Sequence, residues 1–230
     1  MSDGDTVVAE IDDVEADVRL FGINAPEADE CHHRDARQRL VALVDGQTVE
    51  VDQRGIDQFG RVLAYLWIDA TEVNRELVES GLAIATTPND DNVDGAHLID
   101  AEQAAFDAGL GLWSPSACGG SGGLPSIVVD VDGSQFDAPG PDESALEAEW
   151  VIFRSETSVD LSGWTLRDES SLHRCRLGED HRVTPQLPLQ IGSNDSCWDP
   201  GGSPVWNNAG DLVLLLDTYG RVVARARYRG

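Results

Sequence analysis

The chain has 230 residues, of which 42 are acidic and 16 basic, for a formal net charge of −26. All sixteen cations are arginine and lysine is absent. This excludes a strongly basic nucleic-acid binder working in dilute buffer, because phosphate affinity ordinarily comes from cations, and no apolar run approaches the ~20 residues that span a bilayer. Carboxylates hold water and keep a chain soluble where salt screens ordinary repulsion, so the composition reads as adaptation to high salt. A hydrophobic content of 41% supports a packed core, in one large domain or two small ones.

In chain order, "TVVAEI" (6–11) and "DVRLFGI" (17–23) predict strands from their β-branched and alternating apolar residues. "ADECHHRDARQRLVALV" (28–44) has helical spacing, with Ala36, Leu40 and Leu43 on one side. Strands follow at "QTVEVDQ" and "RVLAYLWI". A second helix is predicted in "TEVNRELVESGLA", with Val73, Leu77 and Val78 apolar and Gly81 as its stop. A third runs through "HLIDAEQAAFDAGLGLW", with Leu98, Ala101, Ala105 and Phe106 facing inward and Gly109 ending it. Interleaved strands and helices indicate an α+β unit over residues 1–113.

Residues 114–126, rich in Gly, Ser and Pro, read as a linker. Residues 127–230 then carry only short strands, "IVVDVDG", "EAEWVIFRS", "GWTLRD", "LPLQIG", "DLVLLLD" and "RVVARARYR", separated by turn residues. That is the pattern of an all-β sandwich or barrel. Trp150, Trp164 and Trp206 read as its core, Asn207 and Asn208 as turn formers, and His173 and His181 as isolated surface residues. Four cysteines fall two to each half, Cys31 with Cys118 and Cys175 with Cys197. No CxxC or zinc spacing is present, and His32 and His33 read as exposed helix residues. The even count predicts two disulfides and an exported protein. No secretory leader is visible, so export implies upstream sequence that has been removed.

Oxygen- and nitrogen-bearing side chains gather on the turns and strands of the first half. "DGDT" supplies Asp3 and Asp5, "VRLFGINAPE" supplies Arg19, Asn24 and Glu27, and "DQFGRVLAYLW" supplies Asp57, Phe59 and Arg61. Hard cations take carboxylate, amide and carbonyl oxygens. Phosphodiester cleavage needs a base for water and fixed cations around the phosphorus. Arginine suits the second task because its planar fork binds two phosphate oxygens and stays charged. Taken singly, each residue has a plainer role: Asp-Gly forms turns, Glu27 opens a helix, and arginines pair with surplus surface carboxylates. Asp57 reads as a brace for the loop before Arg61.

In series, "DGDT", "VRLFGINAPE", "DQFGRVLAYLW", "VNRELVESGLA" and "AEQAAFDAGLGLW" resemble the staphylococcal nuclease (thermonuclease) family across nearly the whole first half. The resemblance implies an OB-fold barrel with three helices and a Ca2+-dependent nuclease acting on DNA and RNA with 3′-phosphate products. It makes Asp5, Asn24 and the Ala25 carbonyl the metal ligands. Glu27 becomes the base for water, and Arg19 and Arg61 the phosphate-binding pair. Three departures follow. Asn24 stands where the family has an aspartate, which lowers the charge of the metal site. "AIATTPNDDN" (83–92) lacks the family's aromatics. The family strand ahead of "DGDT" has no counterpart here. An alternative is therefore a catalytically impaired OB-fold that binds nucleic acid or a surface.

In the second half, "DLSGWTLRD" and "WNNAGDLVLLLD" resemble the lamin tail domain, which implies an immunoglobulin-like sandwich with a targeting role and an unknown ligand. Arg225, Arg227 and Arg229 alternate along one predicted strand and share a face, which suits either nucleic acid or the chain's own carboxylates. The expected protein is a monomeric, secreted or cell-surface, haloarchaeal nuclease without a membrane span.

Overall fold

The structure is a computed structural model, described here for residues 3–11, 13–87, 95–121, 123–137, 149–170, 172–193, 195–199, 205–208 and 210–229. It divides into two compact units, one of residues 1–86 and 91–114, the other of residues 87–90 and 115–230. Residues 88–92 of the aromatic-poor stretch lie outside the described residues.

The first unit opens with strands β1 (Thr6–Ile11), β2 (Val14–Leu20) and β3 (Ile23–Asn24), followed by helix α1 (His33–Val44). Strands β4 (Glu50–Ile56), β5 (Val62–Ile68) and β6 (Thr71–Glu72) come next, then α2 (Val73–Glu79), β7 (Ile84–Ala85) and α3 (Ala96–Asp107). The main sheet has the order β1-β2-β5-β4, with β6 also on β5. β2 and β5 run parallel, and the other pairs of this sheet are antiparallel. Val18 and Leu20 of β2 and Ala64 and Leu66 of β5 alternate inward and meet Leu40, Val73, Leu77, Leu98 and Ala101 from the helices. Buried Asn74 of α2 fastens this core. Its Nδ2 donates to the Phe21 and Ala64 carbonyls at 2.8 and 3.2 Å, and its Oδ1 accepts from the Leu66 N–H at 3.1 Å.

Three sequence expectations change. Four helical segments stand among the described residues of this unit, not three, the fourth being a 3₁₀ turn at Gly111–Trp113. α1 starts at His33 rather than residue 28, because residues 27–30 close a turn of their own in which the Glu30 N–H donates to the Glu27 carbonyl at 2.8 Å. Phe106 is 39% exposed. It lies one residue past the Leu98–Ala101–Ala105 seam and meets Trp113 edge to face at 5.9 Å.

The second unit begins with a 3₁₀ turn at Ala117–Gly119 and continues with β8 (Ile127–Val129), β9 (Trp150–Ser155), β10 (Val159–Asp160), β11 (Thr165–Arg167) and β12 (Arg174–Arg176). Then come β13 (Arg182–Val183), β14 (Leu189–Gly192), β15 (Trp198–Asp199), β16 (Gly210–Leu216) and β17 (Val222–Arg229). The strands form sheets β14-β9-β8, β15-β12-β11-β16-β17 and β10-β13. Val151, Phe153 and Ile191 from the first sheet share one core with Leu166, Val213, Leu215 and Tyr228 from the second. Trp164 and Trp206 are in that core, whereas Trp150 sits at its edge and donates to the Gly133 carbonyl at 3.1 Å. A disulfide joins Cys175 to Cys197, and no cysteine of the chain is free.

His173 is not an isolated surface residue. Its Nδ1 lies 2.7 Å from Oδ2 of buried Asp168, and that carboxylate raises the imidazole above its ordinary pKa. Burial, with the charges of Glu169 and Asp168 adding to it, pushes the Asp211 carboxyl up to about 8. Arg227 pairs with Glu169 of its own unit at 2.8 Å. No helix among the described residues is long and apolar enough to cross a membrane.

Candidate active site

Asp5 immediately precedes β1, and the antiparallel register sets Thr6 opposite Arg19 on β2. The Leu20 N–H donates to the Asp5 carbonyl at 2.8 Å, which extends the ladder to the "DGDT" turn. The chain then bends into β3, where pairing with β7 sets Asn24 opposite Ile84 and leaves Ala25 beside Asp5. Gly4 makes this approach possible: a Cβ on it would stand 2.6 Å from the Ala36 Cβ of α1 and 3.0 Å from the Ala25 Cβ. The helix thus packs directly on the backbone of the turn.

Four residues named from sequence meet here. The Ala25 N–H donates to Asp5 Oδ2 at 2.7 Å. Arg19 reaches the same oxygen from Nη1 at 3.1 Å and donates from Nη2 to Asn24 Oδ1 at 3.1 Å. The Thr6 hydroxyl donates to Asp5 Oδ1 at 3.2 Å. Asp5, Asn24 and Ala25 are all buried. Burial pushes the Asp5 carboxyl up to about 6, against the opposing pull of Arg19 and of the Ala25 amide. Asp3 adjoins the cluster: the Asp5 N–H donates to its Oδ1 at 3.3 Å, and its charge adds to the rise of the Asp5 carboxyl.

The donor set suits a hard cation. It comprises a carboxylate, an amide oxygen and an adjacent backbone carbonyl, and a guanidinium already bridges the first two. A buried carboxylate that is costly to ionise becomes cheap to ionise beside a divalent ion. Asp5, Asn24 and Ala25 thus place the oxygen types that a hard divalent cation takes within one buried cluster.

Glu27 stands on the loop after Ala25-Pro26, partly exposed. Its carboxylate has no hydrogen-bond or ion-pair partner among the described residues. The loop itself is held at both ends: the Glu27 N–H donates to Glu30 Oε2 at 2.9 Å, and His33 donates from Nδ1 to the Pro26 carbonyl at 2.9 Å. The sequence reading missed this role of His33, and its only signal was a histidine at the start of a helix close behind Pro26.

Arg61 immediately precedes β5. The parallel register pairs Val18 with Val62 and Arg19 with Leu63, and Arg61 comes one residue before it. Residues paired in a sheet point to the same side, and alternate residues share a face. Arg19 therefore shares a side of the sheet with Leu63, and Arg61 stands two residues before Leu63, at the entrance to β5. Asp57 braces Arg61 as the sequence suggested: Arg61 donates from its backbone N–H to Oδ1 at 2.9 Å and from Nε to Oδ2 at 2.7 Å. Desolvation in the turn opposes ionisation of Asp57, but these bonds and that from the Phe59 N–H outweigh it and hold the carboxyl below its usual range.

Residues 17–115 match the family model described as staphylococcal nuclease homologue. Protein ParB of Escherichia coli is 32% identical over 121 residues, which cover 49% of this chain and 68% of that protein. Micrococcal nuclease of Shigella flexneri is 32% identical over 121 residues, covering 49% of this chain and 69% of that protein. Thermonuclease of Staphylococcus hyicus is 30% identical over 91 residues, covering 36% and 54%.

Proposed function

This chain belongs to the staphylococcal nuclease family, and from that premise we propose that its OB-fold-like first unit is a calcium-dependent nuclease cleaving DNA and RNA. One observation carries the reading: Asp5, Arg19, Asn24 and Ala25, drawn from three separate segments, are joined by contacts of 2.7 to 3.1 Å.

Asp5, Asn24 and the Ala25 carbonyl would hold the ion. Calcium bound there would supply Lewis acidity toward the phosphate and lower the pKa of water. The chain's own residues do the rest. Arg19 exchanges its bonds to Asp5 and Asn24 for phosphate oxygens, and Arg61 binds the same group from the neighbouring strand. Glu27, with no competing partner, takes the proton of the attacking water. Water adds to phosphorus, the bond to the 5′-oxygen breaks, and that oxygen takes a proton from solvent, leaving a 3′-phosphate.

The second reading, a barrel that binds nucleic acid without cleaving it, draws on the amide at Asn24, which brings one negative charge fewer to the ion. DNA cleavage with Ca2+ or a chelator, at salt from dilute to molar, separates the two. The nuclease is lost with the chelator, with Glu27→Gln and with Arg61→Ala; intact cleavage in any of these sinks the reading. The net charge of −26 is no obstacle in strong salt, because at about 1 M the Debye length is roughly 3 Å and only contact-range charges act.

We assign residues 1–113 to the nuclease domain, 114–126 to a connecting segment and 127–230 to a lamin-tail-like immunoglobulin-type sandwich that targets the enzyme. Support for the last is the pair of antiparallel sheets around one core. The lysine-free acidic composition supports a haloarchaeal source, and the absence of free cysteine supports an extracellular monomer.

A further inference from the structure

A five-residue pattern, Asp-x-aromatic-Gly-Arg, occurs twice in this chain, as "DQFGR" (57–61) and "DTYGR" (217–221). The first lies between β4 and β5 of one unit, the second between β16 and β17 of the other. Both close with one set of bonds. In each, the Asp N–H donates to the Arg carbonyl at 3.0 Å. The Gly N–H donates to the Asp carbonyl at 3.0 Å in the first and 2.9 Å in the second. Asp Oδ1 accepts the aromatic N–H at 2.8 and 2.9 Å, and the Arg N–H at 2.9 and 3.0 Å. Asp Oδ2 accepts Arg Nε at 2.7 Å in both. The glycines take φ of 83° and 81°, where a side chain would be strained. The guanidinium carbons lie 5.5 and 5.4 Å from the Phe59 and Tyr219 ring centroids. Two unrelated surroundings yield the same geometry, so the clamp is encoded within its five residues.

The two copies differ in what lies beyond the clamp. Arg221 is buried, and its Nη1 donates to the Pro115 carbonyl at 3.2 Å. There the clamped fork turns its far edge to an oxygen acceptor. The Arg61 side chain is 32% exposed, and Asp57 is its ion-pair partner. Its terminal nitrogens have no hydrogen-bond partner among the described residues. We infer that Asp57 is a positioning residue of the nuclease: it fixes Arg61 through Nε so that the terminal nitrogens face a phosphate oxygen, as Arg221 faces the Pro115 carbonyl. This rests on the nuclease reading of Arg61. Without the clamp, a long flexible side chain must be ordered anew at each encounter with substrate.

The test is a double-mutant cycle on the full chain with DNA, Ca2+ and molar salt, comparing Asp57→Ala, Arg61→Lys and the pair. Lysine keeps the charge but has no Nε–H for Asp57 to hold. The expected result is a loss of about tenfold in kcat for Asp57→Ala, with KM little changed, and of less than about twofold once residue 61 is lysine. Equal fractional losses in both backgrounds overturn the proposal. Should Asp57→Ala melt below the assay temperature, Asp57→Asn keeps an oxygen for the two backbone N–H groups and carries the cycle instead. If Arg61→Lys and Arg61→Ala both cleave like the parent, the catalytic reading of Arg61 fails and the proposal with it. If they are impaired but uncoupled from Asp57, the proposal alone fails.

Discussion

Substituting Asp5 by Asn tests the electrostatics of the proposed metal site without any assay of cleavage. The asparagine imitates the protonated acid in shape and charge. In the folded chain burial raises the Asp5 carboxyl from 3.8 to about 6, a shift of about two pH units. At about 1.4 kcal/mol per unit, an ionised Asp5 weakens the metal-free fold by roughly 3 kcal/mol. Allowing for relaxation around a site that still touches solvent, the expected gain for Asp5→Asn at pH 7 is about 1–3 kcal/mol. A raised folded-state pKa contributes stability that is complete below pH 4 and lost as pH rises through 6. The advantage of the variant should therefore be small at pH 4 and grow until about pH 7. Urea denaturation followed by tryptophan fluorescence in chelator, across that range and at fixed molar salt, measures it. Added Ca2+ should then stabilise the parent and leave Asp5→Asn unmoved, since only a ligand that binds the folded site shifts the balance. A variant less stable than the parent at pH 7, or an advantage independent of pH, refutes the reasoning.

Asn74→Ala removes the Asn74 partner of the Leu66 N–H and of the Phe21 carbonyl, while the Ala64 carbonyl keeps the Phe21 N–H; at about 1–3 kcal/mol for each buried group left unpaired, the first unit should lose roughly 2 kcal/mol or more in the same titration. Gly4→Ala forces a methyl against Ala36 and Ala25. A cost of about 1–3 kcal/mol is expected, with weaker Ca2+ binding by calorimetry because the Asp5 turn must shift. Asp217→Asn, in the second copy of the clamp, should lower the melting temperature of the second unit and leave DNA cleavage within about twofold of the parent. Reducing Cys175–Cys197, which are 22 residues apart, should cost the second unit about 3 kcal/mol by freeing its unfolded chain, read as a drop in its melting temperature on adding a thiol.

The strands were legible because apolar patterning is local, and β1, β5, β16 and β17 stand where it predicts them, whereas the run predicted over 17–23 is split, β2 starting at Val14 and ending at Leu20 and β3 following at Ile23. The start of α1 was not legible. The helical reading began at residue 28, but the Glu27–Glu30 turn and the His33 bond to the Pro26 carbonyl hold residues 28–32 out of the helix. His173 looked solitary because nothing in a sequence marks a histidine as the partner of an aspartate inside a folded sheet. The site residues were legible as types suited to a cation and a phosphate. That Arg19 would bond two of the three proposed cation ligands was not.

The division follows from reach. The Asp57 and Asp217 clamps close within five residues, so hydrogen bonding between near neighbours specifies them in whichever unit they occur. The Asn74 bond to Phe21 spans 53 residues and the Ala25 bond to Asp5 spans 20. Both arise only after β1, β2 and β5 have taken their register around a common core. Side-chain chemistry is written in the chain, but which groups share one buried pocket is decided by the packing that brings distant strands together.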